Sequence, residues 1–191
     1  MSQNQNLIDL NITTLREGQY LLSLLNSDQY SQGFKPAFQS NIGTHFRHIV
    51  EHYQCFFTQL PDCAFRYDQR LRDQRLETDL AYAMETVTGL LACFHKLEDS
   101  LFDERYTVGE QTEEKEGIDS DVIVVDTNLP RELMFLQTHT VHHYAMIAAM
   151  CRGIGVSPEP GIGVAIPTRN YTQNIDQQAG DKKDQESSCA Q

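Results

Sequence analysis

At 191 residues with 40% hydrophobic content, the chain suits one domain large enough to bury a proper core. Its formal charge of −12 argues against a nucleic-acid partner, which needs clustered Lys and Arg to meet phosphate. No apolar run approaches the ~20 residues that cross a bilayer, and "MSQNQNLIDL" lacks the basic-then-apolar pattern of a secretory signal, so no membrane contact and a cytoplasmic location are expected.

Leu7, Leu10, Leu15, Leu21, Leu24 and Leu25 recur near helical spacing and predict a first helix over 7–25. In "NSDQYSQGFKPAFQSN", Gly33 and Pro36 break the pattern, and Ser40 or Asn41 supplies an N-cap. The second helix, "IGTHFRHIVEHYQCFFTQL", repeats Ile42, Phe46, Ile49, Tyr53, Phe56, Phe57 and Leu60 at three and four, and Pro61 ends it. The polar stretch "DCAFRYDQRLRDQRLETD" reads as a structured loop.

A third helix runs from about Asp79 to Leu97, with Leu80, Ala83, Val87, Leu90, Leu91 and Phe94 on one face. The acidic runs "EDSLFDE" and "EQTEEKEGIDSD" read as solvated surface. Within "DVIVVDT" the β-branched residues favour a short strand, paired as a hairpin with "RYTVGE". A fourth long helix follows, with Pro130 in its first turn and Gly153 at its end. "GIGVSPEPGIGVAIPT" is irregular by its Gly and Pro content, and the tail from Asn170 is too polar to pack. The expected organisation is a domain over 1–169 and a disordered tail over 170–191. Its fold class is all-α, a four-helix bundle with a small β-hairpin or strand insert before the last long helix.

The five cysteines, Cys55, Cys63, Cys93, Cys151 and Cys189, are odd in number and without a CxxC pair, which suits reduced thiols. The seven histidines are less evenly spread. On the fourth helix, Leu136, His139, His143, Ile147 and Met150 follow the spacing of one buried stripe. A histidine pair at i, i+4 presents both rings to one divalent ion. His142 lies about 100° away around the helix and points elsewhere. A catalytic site needs a third protein ligand, and the second helix offers His45, His48 and His52 on one broad face. The apolar wheel does not choose between them: His45 lies nearer the centre of the stripe and His48 at its edge. The alternative is a set of core-edge histidines bonded to carbonyls or carboxylates. His95 has no partner in sequence and reads as a surface residue.

"SNIGTHFRHIVEH" and "HTVHHYAMI" together resemble the DinB-like superfamily of four-helix-bundle metalloproteins. In that pattern the second helix carries Ser, an apolar residue, Gly, then the metal histidine with an acidic residue three places on. Ser40 to Glu51 fit it and place the ligand at His48, with His45 where the family has an apolar residue. The last helix of the family carries a histidine pair four apart, which His139 and His143 reproduce. The Arg-Gly-Gln that often follows is replaced here by Tyr144, Ala145 and Met146. The resemblance spans about residues 7–155. It implies a metal site of His48, His139 and His143, a DinB-like bundle, and a homodimer.

Three neutral imidazoles leave a divalent ion an open position, where it can activate water, polarise a carbonyl or hold a thiolate. Zinc is the least demanding choice, with nickel or iron as alternatives. The resemblance implies either a thiol-dependent transferase, with a low-molecular-weight thiol as cosubstrate, or a metal-dependent hydrolase of a small molecule. The catalytic candidates are weak. Glu132 lies two turns before His139, roughly 10 Å along the axis; it could orient His48 or merely favour the helix dipole. Glu51 and Arg47 flank His48. Asp68, Arg70 and Arg72 could bind an anion at the bundle mouth or form a local ion-pair cluster. Tyr144 turns off the stripe, and no Ser, Cys or Thr forms a convincing nucleophile arrangement with a histidine. A metal- or ligand-binding protein without turnover, and a structural bundle with core histidines, stand as the other classes.

Overall fold

The computed structural model describes residues 2–112 and 121–172. The acidic segment 113–120 and the tail 173–191 lie outside the described residues.

Each long helix begins at a side-chain cap that satisfies backbone N–H groups the helix leaves unpaired. Ser2 opens α1 (Gln3–Ser23) by accepting from the Gln5 N–H. Asn26 and Gln29 form a reciprocal capping box at the short α2 (Ser27–Ser31). Asn41, rather than Ser40, caps α3 (Ile42–Gln59) through the Thr44 N–H. After β1 (Ala64–Phe65) and the short α4 (Arg75–Thr78), Asp79 caps α5 (Leu80–Phe94). Strands β2 (Tyr106–Gln111) and β3 (Val122–Thr127) precede α6 (Leu129–Gly153), which Asn128 caps ahead of Pro130. A last helix, α7, covers 166–172.

The four long helices and the hairpin fall where the periodicity predicts them, within a few residues at the ends. Two expectations change. The stretch read as a polar loop holds β1, α4 and a 3-10 turn at Tyr67–Gln69. The polar tail was expected from Asn170, but α7 carries helix through residue 172.

The chain is therefore mostly helical with a small three-stranded sheet, rather than all-α with a hairpin alone. The sheet order is β1-β2-β3. β2 and β3 pair antiparallel, from Tyr106 opposite Thr127 to Gln111 opposite Val122. β1 pairs parallel to β2, with Ala64 opposite Thr107 and Phe65 opposite Val108. A stack of rings ties β1 to the helices: Phe65 lies over Phe56 at 5.3 Å, over Tyr106 at 5.4 Å and over Tyr67 at 6.0 Å.

Among the long helices, α1 packs against α5 and α6, and α3 packs against the same two. Leu15, Leu21, Phe46, Phe56, Leu133, Leu136 and Ile147 are fully buried between them. Two glycines allow close approach. A Cβ on Gly43 would lie 2.0 Å from the Glu77 carbonyl oxygen, so α4 can rest on the first turn of α3 only because that side chain is absent. A Cβ on Gly18 would lie 2.2 Å from the Tyr144 hydroxyl. This space accounts for a further correction. Tyr144 is 1% exposed, at the centre of the buried face of α6, whereas His139 and His143 are half-buried at its edge.

Among the described residues no helix is long and apolar enough to cross a membrane.

Candidate metal centre

On α3, His45, His48 and His52 stand at i, i+3 and i+7, and on α6, His139 and His143 stand at i, i+4. These spacings place each set along one side of its helix. Because α3 packs on α6, five of the seven histidines meet in one cluster. Ring centroids run from His45 to His143 at 5.2 Å, His143 to His48 at 4.6 Å, His48 to His139 at 4.9 Å, and His139 to His52 at 4.6 Å.

Within the cluster, His48, His139 and His143 each offer a ring nitrogen, and the three nitrogens lie within 4.8 Å of one another. His48 Nε2 and His139 Nε2 are 2.9 Å apart. Ligand nitrogens at ~2.0–2.1 Å around a tetrahedral ion stand about 3.3 Å from each other, so the His48–His139 pair is near that spacing and the third nitrogen lies within 4.8 Å of both. The donor type fits as well, since a metal takes the neutral imidazole. Burial, then the neighbouring imidazoles, push His48 and His143 down to about 3, and burial also lowers His139. The set could hold a divalent metal.

The other two histidines are engaged elsewhere. His52 lies 2.6 Å by Nδ1 from the His48 carbonyl oxygen and 3.3 Å by Nε2 from Arg70 Nη1. The carbonyl only accepts and the guanidinium only donates, so His52 carries its proton on Nδ1, and its other nitrogen is taken. His45 sits 2.8 Å by Nε2 from Ser40 Oγ and 2.9 Å by Nδ1 from His143 Nδ1. His142 and His95 are exposed, as the helical wheel and the sequence context predict.

The acidic candidates do not reach the cluster. Glu132 is buried and accepts from Tyr67 Oη at 2.8 Å and Thr127 Oγ1 at 2.6 Å, so it does not orient His48. Glu51 accepts from the Asp73 N–H at 2.6 Å and faces Arg47 and Arg70 at 3.9 Å. Burial pushes its carboxyl above the ordinary range despite those partners. Arg47 turns away to pair with Glu77. Asp68 holds Arg66 through two hydrogen bonds at 2.9 and 2.7 Å, and Arg70 donates to the Tyr67 carbonyl. The thiols do not supply a nucleophile beside the rings. Cys55 donates to the Arg66 carbonyl, and burial raises both it and Cys151, the latter to about 11. No disulfide joins the described cysteines.

A cavity of about 530 Å³ opens between α6, the sheet and the Tyr67–Gln69 turn. Asp68, Arg70 and Arg72 line it, as do His52 and Phe135. The last two also contact His139, with centroids 4.6 and 5.4 Å away, so the cavity adjoins the three-histidine set.

Sequence reasoning brought together His48, His139 and His143 but missed the partners behind them. Ser40 entered the sequence reading as a cap and as the first residue of the resemblance, and nothing in the spacing signals that it meets His45. Compared with known proteins, the chain matches no family model, no curated protein and no solved structure.

Proposed function

We propose that the chain is a divalent-metal-dependent enzyme acting on a small molecule, with His48, His139 and His143 as the protein ligands. One observation carries this reading: three half-buried imidazole nitrogens converge within 4.8 Å, with no carboxylate partner among the described residues to explain their approach. The ion, when bound, supplies Lewis acidity at an open position. The chain's own residues do the rest. His52 and Phe135 form a wall shared by the cluster and the cavity, whose charged lining is mixed, with Arg70, Arg72 and Arg131 beside Asp68, Glu110, Asp126 and Glu132. A small polar substrate would be held there beside His139.

By resemblance, the fold is a four-helix bundle of the DinB-like type, and the reaction is a thiol-dependent transfer or a hydrolysis. Zinc is the proposed metal, with nickel or iron as alternatives, and a low-molecular-weight thiol is the proposed cosubstrate. A cytoplasmic homodimer is proposed on the same basis. A second reading, binding of metal without turnover, is favoured by the engagement of Glu51 and Glu132 away from the cluster, so that neither is a carboxylate base beside it.

Elemental analysis of untagged protein tests the metal. About one ion per chain, lost in His48→Ala and His143→Ala, is the expected result; a protein that stays empty after reconstitution with zinc, nickel and iron overturns it. Metal-dependent consumption of a thiol with an electrophile, or of an ester or amide, separates turnover from binding alone.

A further inference from the structure

We propose that Ser40 and His45 form an orienting chain behind His143, so that His45 positions a metal ligand without being one. The inference rests on the metal reading above. His45 is 6% exposed, and both of its nitrogens have partners, Ser40 Oγ at 2.8 Å and His143 Nδ1 at 2.9 Å.

Proton bookkeeping assigns the direction of the chain. With His143 Nδ1 turned to His45, its Nε2 is the nitrogen left to ligate. A neutral imidazole that ligates through Nε2 carries its proton on Nδ1. His143 therefore donates to His45 Nδ1. That nitrogen is then an acceptor, so His45 holds its own proton on Nε2 and donates it to Ser40 Oγ. Every nitrogen contact in the chain has one proton, and both rings stay neutral.

Ser40 is itself held in place. It precedes Asn41, whose side chain accepts from the Thr44 N–H at 2.7 Å and donates to the Ser31 carbonyl at 2.9 Å. The cap of α3 and the end of α2 thus fix the far end of the chain. His48 and His139 are arranged differently, bonding to each other through Nε2. Among the three nitrogens that meet, His143 is the one whose tautomer is set from behind by a ring of the opposite helix.

The test is a zinc titration of the full chain in competition with a chromophoric chelator, on the wild type and on His45→Phe, His45→Asn and Ser40→Ala. Unfolding midpoints of the metal-free proteins are measured alongside. All four are expected to bind about one ion. His45→Phe weakens binding about 10–100-fold, the usual effect of removing such a partner. His45→Asn keeps an acceptor near the Nδ1 position and recovers most of the loss, and Ser40→Ala weakens binding by about 2–10-fold, as for one neutral hydrogen bond. If His45→Phe does not fold, the Asn and Ser40 variants carry the comparison.

Wild-type affinity in His45→Phe, within about twofold, overturns the chain while leaving the metal reading intact. Complete loss of the ion in a folded His45→Asn protein makes His45 a ligand and overturns its positioning role. Labelling of Ser40 by a fluorophosphonate makes that hydroxyl a nucleophile and overturns its place here. Absence of binding in the wild type overturns the metal reading, and the chain falls with it.

Discussion

Two polar regions lie along α3 and α6, and they are built on opposite principles. Around Glu132 and Glu51 the network is closed at its carboxylates, which take donors from Tyr67, Thr127 and the Asp73 backbone, while Arg47 Nε and Arg70 Nε beside Glu51 are left without a hydrogen-bond partner among the described residues. A buried acceptor left without donors costs about 1–3 kcal/mol, and these are supplied. In the histidine region the network is open. His48 and His139 turn acceptor-capable nitrogens toward each other, and among the described residues no carboxylate stands by to hold a proton between them. The carboxylates of the first region are satisfied by protein groups, and the second has a nitrogen set that could hold a divalent metal.

This contrast can be broken most directly by removing a ring. His48→Ala and His139→Ala are each expected to lower bound zinc from about one per chain to near none, once a three-ligand set falls to two. Elemental analysis after dialysis measures it. Retention of the ion in either variant would place the site elsewhere.

Glu132→Leu should act in the reverse sense. It strands the Tyr67 hydroxyl and Thr127 Oγ1, so a loss of about 2–4 kcal/mol in urea unfolding is expected, with the zinc content unchanged. A drop in zinc without a drop in stability would merge the two regions.

Metal should stabilise the open region alone. Zinc at 100 times its dissociation constant is expected to add about 2.7 kcal/mol, seen as a rise of roughly 5–11 °C in the melting temperature. The rise should persist in Glu132→Leu and vanish in His48→Ala.

Acidification of the metal-free protein gives a smaller effect with a defined sign. His48, His52 and His143 are lowered from 6.5 to about 3 by burial first and then by nearby charges. Between those values the unfolded chain takes up protons that the folded chain refuses, so stability falls as pH drops from about 6.5 toward 3. Urea midpoints at pH 7.5 and pH 5 should show the loss, and replacing His48 and His143 together should reduce it. Smallest of all is His142→Ala. That ring is exposed, and zinc affinity should change less than about twofold, within the range of an ordinary surface substitution.

How much of this was legible depends on the range of each signal. Apolar repeats over fifteen or more residues predicted α1, α3, α5 and α6, because a helix writes its buried face into local spacing. The run of β-branched residues in β3 predicted the hairpin for a similar local reason. β1 is two residues long and pairs with a strand some forty positions away, so no local pattern marks it. The buried face of α6 was displaced by about one position. Polar Thr140 and Gln137 lie on it, and Tyr144 joins them because Gly18 of another helix leaves room.

The sequence by itself determined which helices carry imidazoles and at what spacing, since i, i+3 and i+4 relations are properties of one helix. It could not choose between His45 and His48 on the apolar wheel, because both lie within the arc that faces α6. Only the packing of α3 on α6 decided that His48 Nε2 meets His139 while His45 turns to Ser40 and His143. Distances between nitrogens on different helices are set by how side chains fill the space between them, and that is a property of the assembled core.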